Sequence, residues 1–400
     1  MRDSRLYEEV TRVIERAQTL RQQTQLNVVK AGFTPRAGTD LGRGYLSFVM
    51  SIECEVPKDS YLFVGSGSIT VVSRDFDKIL NQLGQIARAI DYLLRSGMTL
   101  DENSLKQVRV GQTTLANILS GIRVLMTPVE YRGRIIIPGS SIKGAIRNRL
   151  ELAFKIVNNK VDACFIRQSS GPLDVQRGWR YIYINGPEVA IYRSSTCNLT
   201  HDNEVCKVCD LLGTAGLLSR VDFSDALPTA DFEPIEMELE YNEHILAIPP
   251  GTRFRTEISF RNVLPEEAGL IFMALNLHCQ RPTPILIGRF KFKKKFWKQR
   301  NIRITFGRLV FLRDSVEIRI PKFVQELSRD VKLQDILRKG ETSQSCTVLR
   351  NVAKEGFLNY CISRTYQVMG NVLREDFLKC SFEEFFKKLE KASEEEYHVR

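Results

Sequence analysis

The 400-residue sequence contains no run of about 18 apolar residues, and residues 1–22 are charged throughout. These two absences argue against a membrane-spanning helix and against a signal peptide, so the sequence predicts a cytoplasmic protein. Histidine is scarce, and His244, His278 and His398 have no nucleophile motif beside them. A Walker-type loop is also missing. The sequence therefore gives little support to serine, cysteine or carboxylate catalysis.

Acidic residues are absent from residues 289–303, where eight residues are basic. Over the whole chain, 58 Lys and Arg exceed 47 Asp and Glu, which gives a formal net charge of +11. A concentrated excess of this kind favours a polyanionic partner. Nucleic acid is favoured over a membrane, because no basic helix with a wide apolar face accompanies the excess.

Aromatic residues alternate with the bases of this run, so its cations can follow a phosphate chain while its rings stack on bases. The alternative is a solvated hairpin whose phenylalanines face the core. Phe290 and Phe292 fit that alternative. The prediction of RNA contact therefore depends on Lys293, Lys294, Lys295 and Trp297.

The nine cysteines are an odd number in a chain without a predicted leader, which favours thiols or metal ligands over a disulfide framework. Cys197, His201, Cys206 and Cys209 fit within one loop and end in a CxxC pair, a spacing typical of structural zinc. Free thiols or a redox pair are the alternative. The other six cysteines are interpreted as packing residues: Cys54, Cys164, Cys279, Cys346, Cys361 and Cys380.

Residues 135–152 read IIIPGSSIKGAIRNRLEL, a strand end, a turn and an amphipathic helix that Ser140 or Ser141 is placed to cap. Such a helix start directs backbone N–H groups, hydroxyls and the charges of Lys143 and Arg147 at one spot, which suits a phosphate. The alternative is an ordinary junction with two solvated bases.

The segment PGSSIKGAIRNRLE resembles the signature of the RAMP superfamily of CRISPR-associated proteins, in particular the repeated backbone subunits of type III effector complexes. There the helix start grips guide RNA, so the resemblance implies that Gly139, Ser140, Ser141, Lys143 and Arg147 contact RNA.

The loop LFVGSG is similar to the one after the family's first strand, which implies backbone contacts at Gly65, Ser66 and Gly67. The cysteine cluster resembles the zinc knuckle of several backbone subunits. In the segment that follows, Arg220 contacts RNA or forms an ion pair with Asp222 or Asp225.

Alternating and helical apolar patterns predict an α+β fold with an RRM-like (ferredoxin-like) core. Residues 1–44 form an N-terminal helix and loop, and residues 45–320 form the core. The core carries a helical insertion at 68–126 and the zinc knuckle at 197–209. Residues 321–400 form a helical extension. A turn is expected at 313–315, between two strands.

The sequence thus predicts an RNA-binding subunit of a type III CRISPR ribonucleoprotein that grips guide RNA, with target RNA and other subunits as partners. Two alternatives stay open. One is a Mg-dependent endoribonuclease subunit, although no acid stands at residues 122–126, where the family's catalytic aspartate is expected; Asp75, Asp77 and Asp101 are displaced candidates. The other is a zinc-stabilised nucleic-acid-binding scaffold outside CRISPR systems.

Overall fold

The computed structural model describes residues 27–34, 45–73, 76–97, 109–110, 113–114, 122–158, 160–164, 197–199, 203–240, 243–281, 283–291, 294–327 and 330–380, with isolated positions between 12 and 19. The longer strands are β1 (Leu46–Glu55), β2 (Gly65–Ser73), β3 (Ile122–Pro128), β4 (Val221–Phe223), β5 (Ile235–Glu238), β6 (His244–Ala247), β7 (Arg253–Val263), β8 (Lys294–Trp297), β9 (Ile302–Phe306), β10 (Arg308–Pro321) and β11 (Cys346–Leu349).

The helices are α1 (Phe76–Arg95), α2 (Gly139–Ala153), α3 (Lys207–Leu212), α4 (Pro265–Ala274), α5 (Lys322–Leu327), α6 (Val331–Arg338), α7 (Asn351–Met369) and α8 (Glu375–Leu378), with a 3₁₀ turn at Lys298–Arg300. Two-residue strands lie at Asn27–Val28, Ala31–Gly32, Ser60–Tyr61, Arg109–Val110, Thr113–Thr114, Glu130–Tyr131, Arg134–Ile135, Lys160–Val161, Glu204–Val205, Leu227–Pro228, Ile285–Leu286 and Glu341–Thr342.

The largest sheet has β1 at its centre and the strand order β4-β7-β1-β10-β11, with antiparallel neighbours throughout. Apolar residues occupy every second position of β1, as a strand with one buried face requires. Met50 is paired with Ile258 of β7 and Ile318 of β10, and all three are buried. The sheet therefore presents one apolar face to the core.

Helices α2, α4 and α7 contribute apolar side chains to the same core as this face. Every residue of α4 is buried. A β-carbon on its Gly269 would lie 2.2 Å from the carbonyl oxygen of Cys361 in α7. Glycine is required there because the two helix backbones approach so closely. Along the chain, the core elements follow as β1, α2, β4, β7, α4 and β10.

The opposite face of the sheet is lined by ion pairs between neighbouring strands. Arg253 lies 2.7 Å from Glu55, and Arg255 lies 2.8 Å from Glu53, each pair joining β7 to β1. Arginine and glutamate alternate with the buried residues of these strands. This face is therefore polar and close to charge balance.

A second sheet has the order β5-β6-β3-β2 and lies beside the small sheet β8, β9 and Ser60–Tyr61. Together they enclose a separate apolar cluster: Phe63, Met237, Leu239, Ile245, Ala247, Trp297, Ile304 and Phe306. The glycine-containing loop that follows Val64 lies at the start of β2. Its backbone is bonded to the segment that leads into α2, through Val129 N–H to the Val64 carbonyl.

The mixed α/β class is confirmed, and the insertion predicted as helical at 68–126 contains α1 at Phe76–Arg95. The insertion predicted as helical also contains β2 and β3, which pair with each other. The turn predicted at 313–315 is wrong, because β10 continues through it with a bulge between Leu312 and Glu317. No helix of the described residues is long and apolar enough to cross a membrane.

Candidate metal centre and helix-start surface

Four buried cysteines meet beside the start of α3. The sulfur atoms of Cys164, Cys197, Cys206 and Cys209 all lie within 4.8 Å of one another. The sulfur atoms of Cys164 and Cys209 are 3.3 Å apart. A tetrahedral ion with metal–sulfur bonds of about 2.3 Å places its ligands about 3.8 Å apart. The donor set and its spacing therefore fit one metal ion.

Backbone N–H groups already point at these sulfurs. The N–H of Cys164 donates to Cys206 Sγ at 3.3 Å, and the N–H of Cys206 donates to Cys197 Sγ at 3.2 Å. Cys206 also caps α3, since its sulfur accepts the N–H of Cys209. Such donors stabilise thiolates, the form in which cysteine binds a metal.

Arg147 brings a positive charge to the cluster. Arg147 of α2 donates to Cys209 Sγ at 3.7 Å and to the carbonyl oxygen of Gly213. Hydrogen bonding, first with Cys164, lowers the pKa of Cys209 to about 7, and Arg147 acts in the same direction. Hydrogen bonds from the neighbouring thiols also lower the pKa of Cys197. The pKa is thus lowered for two of the four thiols, Cys197 and Cys209.

The cluster includes three of the four ligands predicted from the sequence. His201 lies outside the described residues, so its role stays a prediction. Cys164 was interpreted as a packing residue, and the structure places it in the cluster instead. It follows α2, far upstream of the CxxC pair, and no spacing rule connects it to that pair. Only the tertiary fold brings it there.

The start of α2 differs from the serine cap predicted for it. Pro138 is the N-cap residue, and no side-chain hydrogen bond caps the helix there. Ser140 and Ser141 lie within the first turn. The N–H of Gly139 donates to Asp225 Oδ1 at 2.8 Å. The carboxylate of Asp225 thus accepts the hydrogen bond that was predicted to go to a phosphate.

The contact at Gly139 also explains its glycine. A β-carbon there would lie 2.0 Å from the carbonyl oxygen of Phe223 in β4. The helix start therefore packs directly against a core strand. Gly139 is required for that contact, whatever else it binds.

Lys143 lies on the same side of α2 and is half-buried. Its Nζ is 3.5 Å from Asp222 Oδ1, a long ion pair, and Asp222 also bonds to Arg261. Burial lowers the pKa of Lys143, while Asp222 opposes that shift. The side chain of Ser140 is exposed next to it. Ser140 and Lys143 therefore form the accessible part of the predicted phosphate site.

The predicted loop contacts lie near this surface. Gly65, Ser66 and Gly67 are exposed, and Gly67 has a φ of +81°, a conformation that favours glycine. The Ser66 hydroxyl donates to the carbonyl oxygen of Thr127 at 3.2 Å. Val129, two residues further on, bonds in turn to Ile136 just before α2. The loop and the helix start are thus parts of one connected region.

Arg220 does not lie on this surface. Its side chain is 1% exposed and bonds to Asp210 at 2.5 Å and to Glu267 at 2.8 and 2.9 Å. It also donates to the carbonyl oxygen of Asn262 at 2.6 Å. The side chain is buried and its donors are bonded within the protein, which favours the ion-pair alternative for Arg220 over RNA contact. Neither predicted ion-pair partner, Asp222 or Asp225, is the one observed.

The basic run is also bonded within the protein. Lys295 is buried and lies 2.7 Å from Glu243. Trp297 is 3% exposed, with Tyr61 against its edge. Neither side chain is exposed, so RNA contact at Lys295 and Trp297 stays a prediction that this fold does not favour. Lys294 is exposed on β8.

Lys293, Asp75 and Asp101 lie outside the described residues. Asp77 lies in the first turn of α1.

A family model of the RAMP superfamily matches residues 59–331, which is more than half of the chain. Among solved structures, the crystal structure of T. onnurineus Csm5 is similar at 14% sequence identity and a TM-score of 0.31; the match covers 65% of this chain and 100% of that one. No curated protein sequence matches the chain.

Proposed function

Because the chain belongs to the RAMP superfamily, we propose that it is an RNA-binding subunit of a type III CRISPR ribonucleoprotein, gripping guide RNA. The observation that carries the proposal is the family match over residues 59–331, which includes the helix start and the cysteine cluster. The T. onnurineus protein in the solved structure is named Csm5. Other subunits and target RNA are the further partners that this proposal implies.

We infer that the core is RRM-like. The order β1-α2-β4-β7-α4-β10 along the chain, with β4-β7-β1-β10 across the sheet, supports this inference. Because ion pairs line the open face of the sheet, RNA would be held at the helix start instead of on that face.

We propose zinc as the ion of the cysteine cluster. Four thiolates in a closed tetrahedral set favour zinc over hard cations, and such a site stabilises a fold without an open catalytic position. The ion would join the segments around Cys164, Cys197 and α3. Since Arg147 contacts Cys209, the same ion would help to position α2.

The phosphate contact would use side chains more than backbone N–H groups. Asp225 occupies the N–H of Gly139, whereas the Ser140 hydroxyl is exposed. A phosphate can replace Asp222 as the partner of Lys143, because that pair is long and Arg261 also neutralises Asp222. RNA retention through such contacts should weaken as the salt concentration rises.

The test compares Lys143→Ala with Lys155→Ala, the same charge change just past the other end of α2. Each chain is purified within its complex at low salt, and the retained RNA is quantified and sequenced. We expect the Lys143 variant to retain several-fold less RNA and the Lys155 variant to match the parent. Arg147 is left unchanged because it contacts the cysteine cluster.

Repeat-derived RNA in the parent complex would support the guide assignment. Equal retention by the two variants would contradict the phosphate site. Absence of any RNA from the pure complex at low salt would contradict the function itself. Cleavage of target RNA is not part of the proposal, because no observation on the described residues favours it.

A further inference from the structure

A disulfide joins two distant parts of the chain. Cys279 follows α4 and Cys380 follows α8, at a sequence separation of 101 residues, with Cα atoms 5.7 Å apart. This Cα–Cα distance lies within the usual range for bridged cysteines. The pair is distinct from the metal cluster and independent of the RNA-binding surface. It contradicts the interpretation of these cysteines as packing residues.

We propose that Cys279 and Cys380 form a reversible oxidation site that clamps residues 370–380 onto the core. The surroundings set this pair apart from the other described cysteines. Cys54 and Cys361 are completely buried, and burial raises the pKa of both thiols. Cys346 is half-exposed and unbridged. Cys380 is half-exposed, and exposure of this kind favours reaction with a small thiol or disulfide.

Contacts other than the disulfide bring the two sulfurs together. The ring Nε2 of His278 lies 3.0 Å from the carbonyl oxygen of Phe377, whose side chain is buried. The Tyr366 hydroxyl donates to the carbonyl oxygen of Leu378 at 2.7 Å. These bonds hold the segment in place beside Cys279. The reduced thiols therefore start close together, which favours intramolecular oxidation.

The bond forms by thiol–disulfide exchange with a low-molecular-weight disulfide, R–S–S–R. The Cys380 thiolate attacks one sulfur, which releases one R–S⁻ that takes up a proton. Cys279 then gives up its proton and attacks the Cys380 sulfur of the mixed disulfide, which releases the second R–SH. The two cysteines lose two electrons and two protons, and the oxidant gains both. Excess R–SH reverses both steps.

The clamp acts on the C-terminal end of the described chain. Cys380 has a φ of +57°, a backbone conformation that residues other than glycine rarely adopt. The bridge fixes the sulfur of this residue and with it the point from which residues 381–400 continue. Reduction removes that constraint, so residues 370–380 open more often. The oxidation state thereby controls how firmly the C-terminal segment is docked.

The first test uses the full, unmodified chain in glutathione buffers of increasing oxidised fraction. Free thiols are alkylated and the tryptic peptides are identified by mass spectrometry. We expect a linked Cys279–Cys380 peptide in oxidising buffer and two alkylated peptides in reducing buffer. Limited trypsin cleavage after Arg374 and Lys379 should slow by about tenfold on oxidation, since cleavage follows local opening.

The matched variants are Cys279→Ser and Cys380→Ser, with Cys346→Ser as the control. In either buffer, both pair variants should be cleaved as fast as the parent is in reducing buffer. The control should behave as the parent. Cleavage that does not depend on buffer in the parent would overturn the proposal. The proposal would also be overturned if the reduced Cys279 and Cys380 bound added zinc together with His278 and then resisted alkylation. If the variants do not accumulate, the titration of the parent decides alone.

Discussion

The buried ion pair of Arg220 allows a quantitative test of how the core is assembled. Its guanidinium lies between Asp210 and Glu267, with side-chain exposures of 1%, 12% and 3% respectively. Removing one partner of a buried pair leaves a charge without compensation, at a cost of about 3–5 kcal/mol. We therefore expect Arg220→Met to lower the free energy of unfolding by this amount, and to lower Tm by roughly 4–6 °C.

Thermal and urea unfolding of the purified chain measure this loss. Arg253→Met is the matched control, because its pair with Glu55 lies on the exposed face and should contribute less than about 1 kcal/mol. Arg220→Met combined with Glu267→Gln should be more stable than Arg220→Met alone, since one of the two carboxylates that lost their arginine partner is gone. The reasoning is refuted if Arg220→Met unfolds like the control. An unchanged stability with weakened RNA retention would restore the RNA-binding role of Arg220.

Three further expectations follow from the site and its surroundings. Cys164→Ser should lower the zinc content measured by mass spectrometry as much as Cys209→Ser, whereas His201→Ala should leave it unchanged; the reverse result would restore the ligand set predicted from the sequence. Gly139→Ala should destabilise the fold by several kcal/mol, because the new methyl group meets a carbonyl oxygen at 2.0 Å; an unchanged Tm would show that the helix start can shift. Burial lowers the pKa of His278 from 6.5 to about 4, so the unfolded chain binds the extra proton between these values. The free energy of unfolding should thus fall by about 1 kcal/mol from pH 7.5 to pH 5.5, and His278→Gln should lack that fall.

The elements predicted most accurately from the sequence are those with a strong period. The alternation of β1 and the helical spacing of α2 each reflect one buried face, which the pattern records directly. The turn predicted at 313–315 was wrong because charged residues there mark a bulge within a strand. Ser315 accepts the N–H of Glu53, so the bulge is fixed by a partner far away in sequence. Local patterns do not contain that information.

The candidate sites show the same division. The CxxC pair and Cys197 were predicted because they share one loop, but Cys164 is brought to them only by the path of the chain after α2. Arg220 and Lys295 were predicted to bind RNA because basic side chains are usually exposed, and the sequence alone does not show which of them are buried. Their acidic partners, Glu267 and Glu243, lie elsewhere in the chain and become neighbours only in the fold.

The basic run therefore indicates less about RNA than its composition suggests. Arg289 and Lys295 both bond to Glu243, and Lys298 bonds to Glu238. A cation that already has a carboxylate partner must give it up before it neutralises a phosphate, and the freed carboxylate then takes up a counterion, so the net release of ions is small. Charge at the start of α2 is held more loosely, since Lys143 has a single long contact with an aspartate that Arg261 also neutralises. The strength of a cation's internal partner, more than the local density of cations, thus decides which basic residues remain available to a nucleic acid.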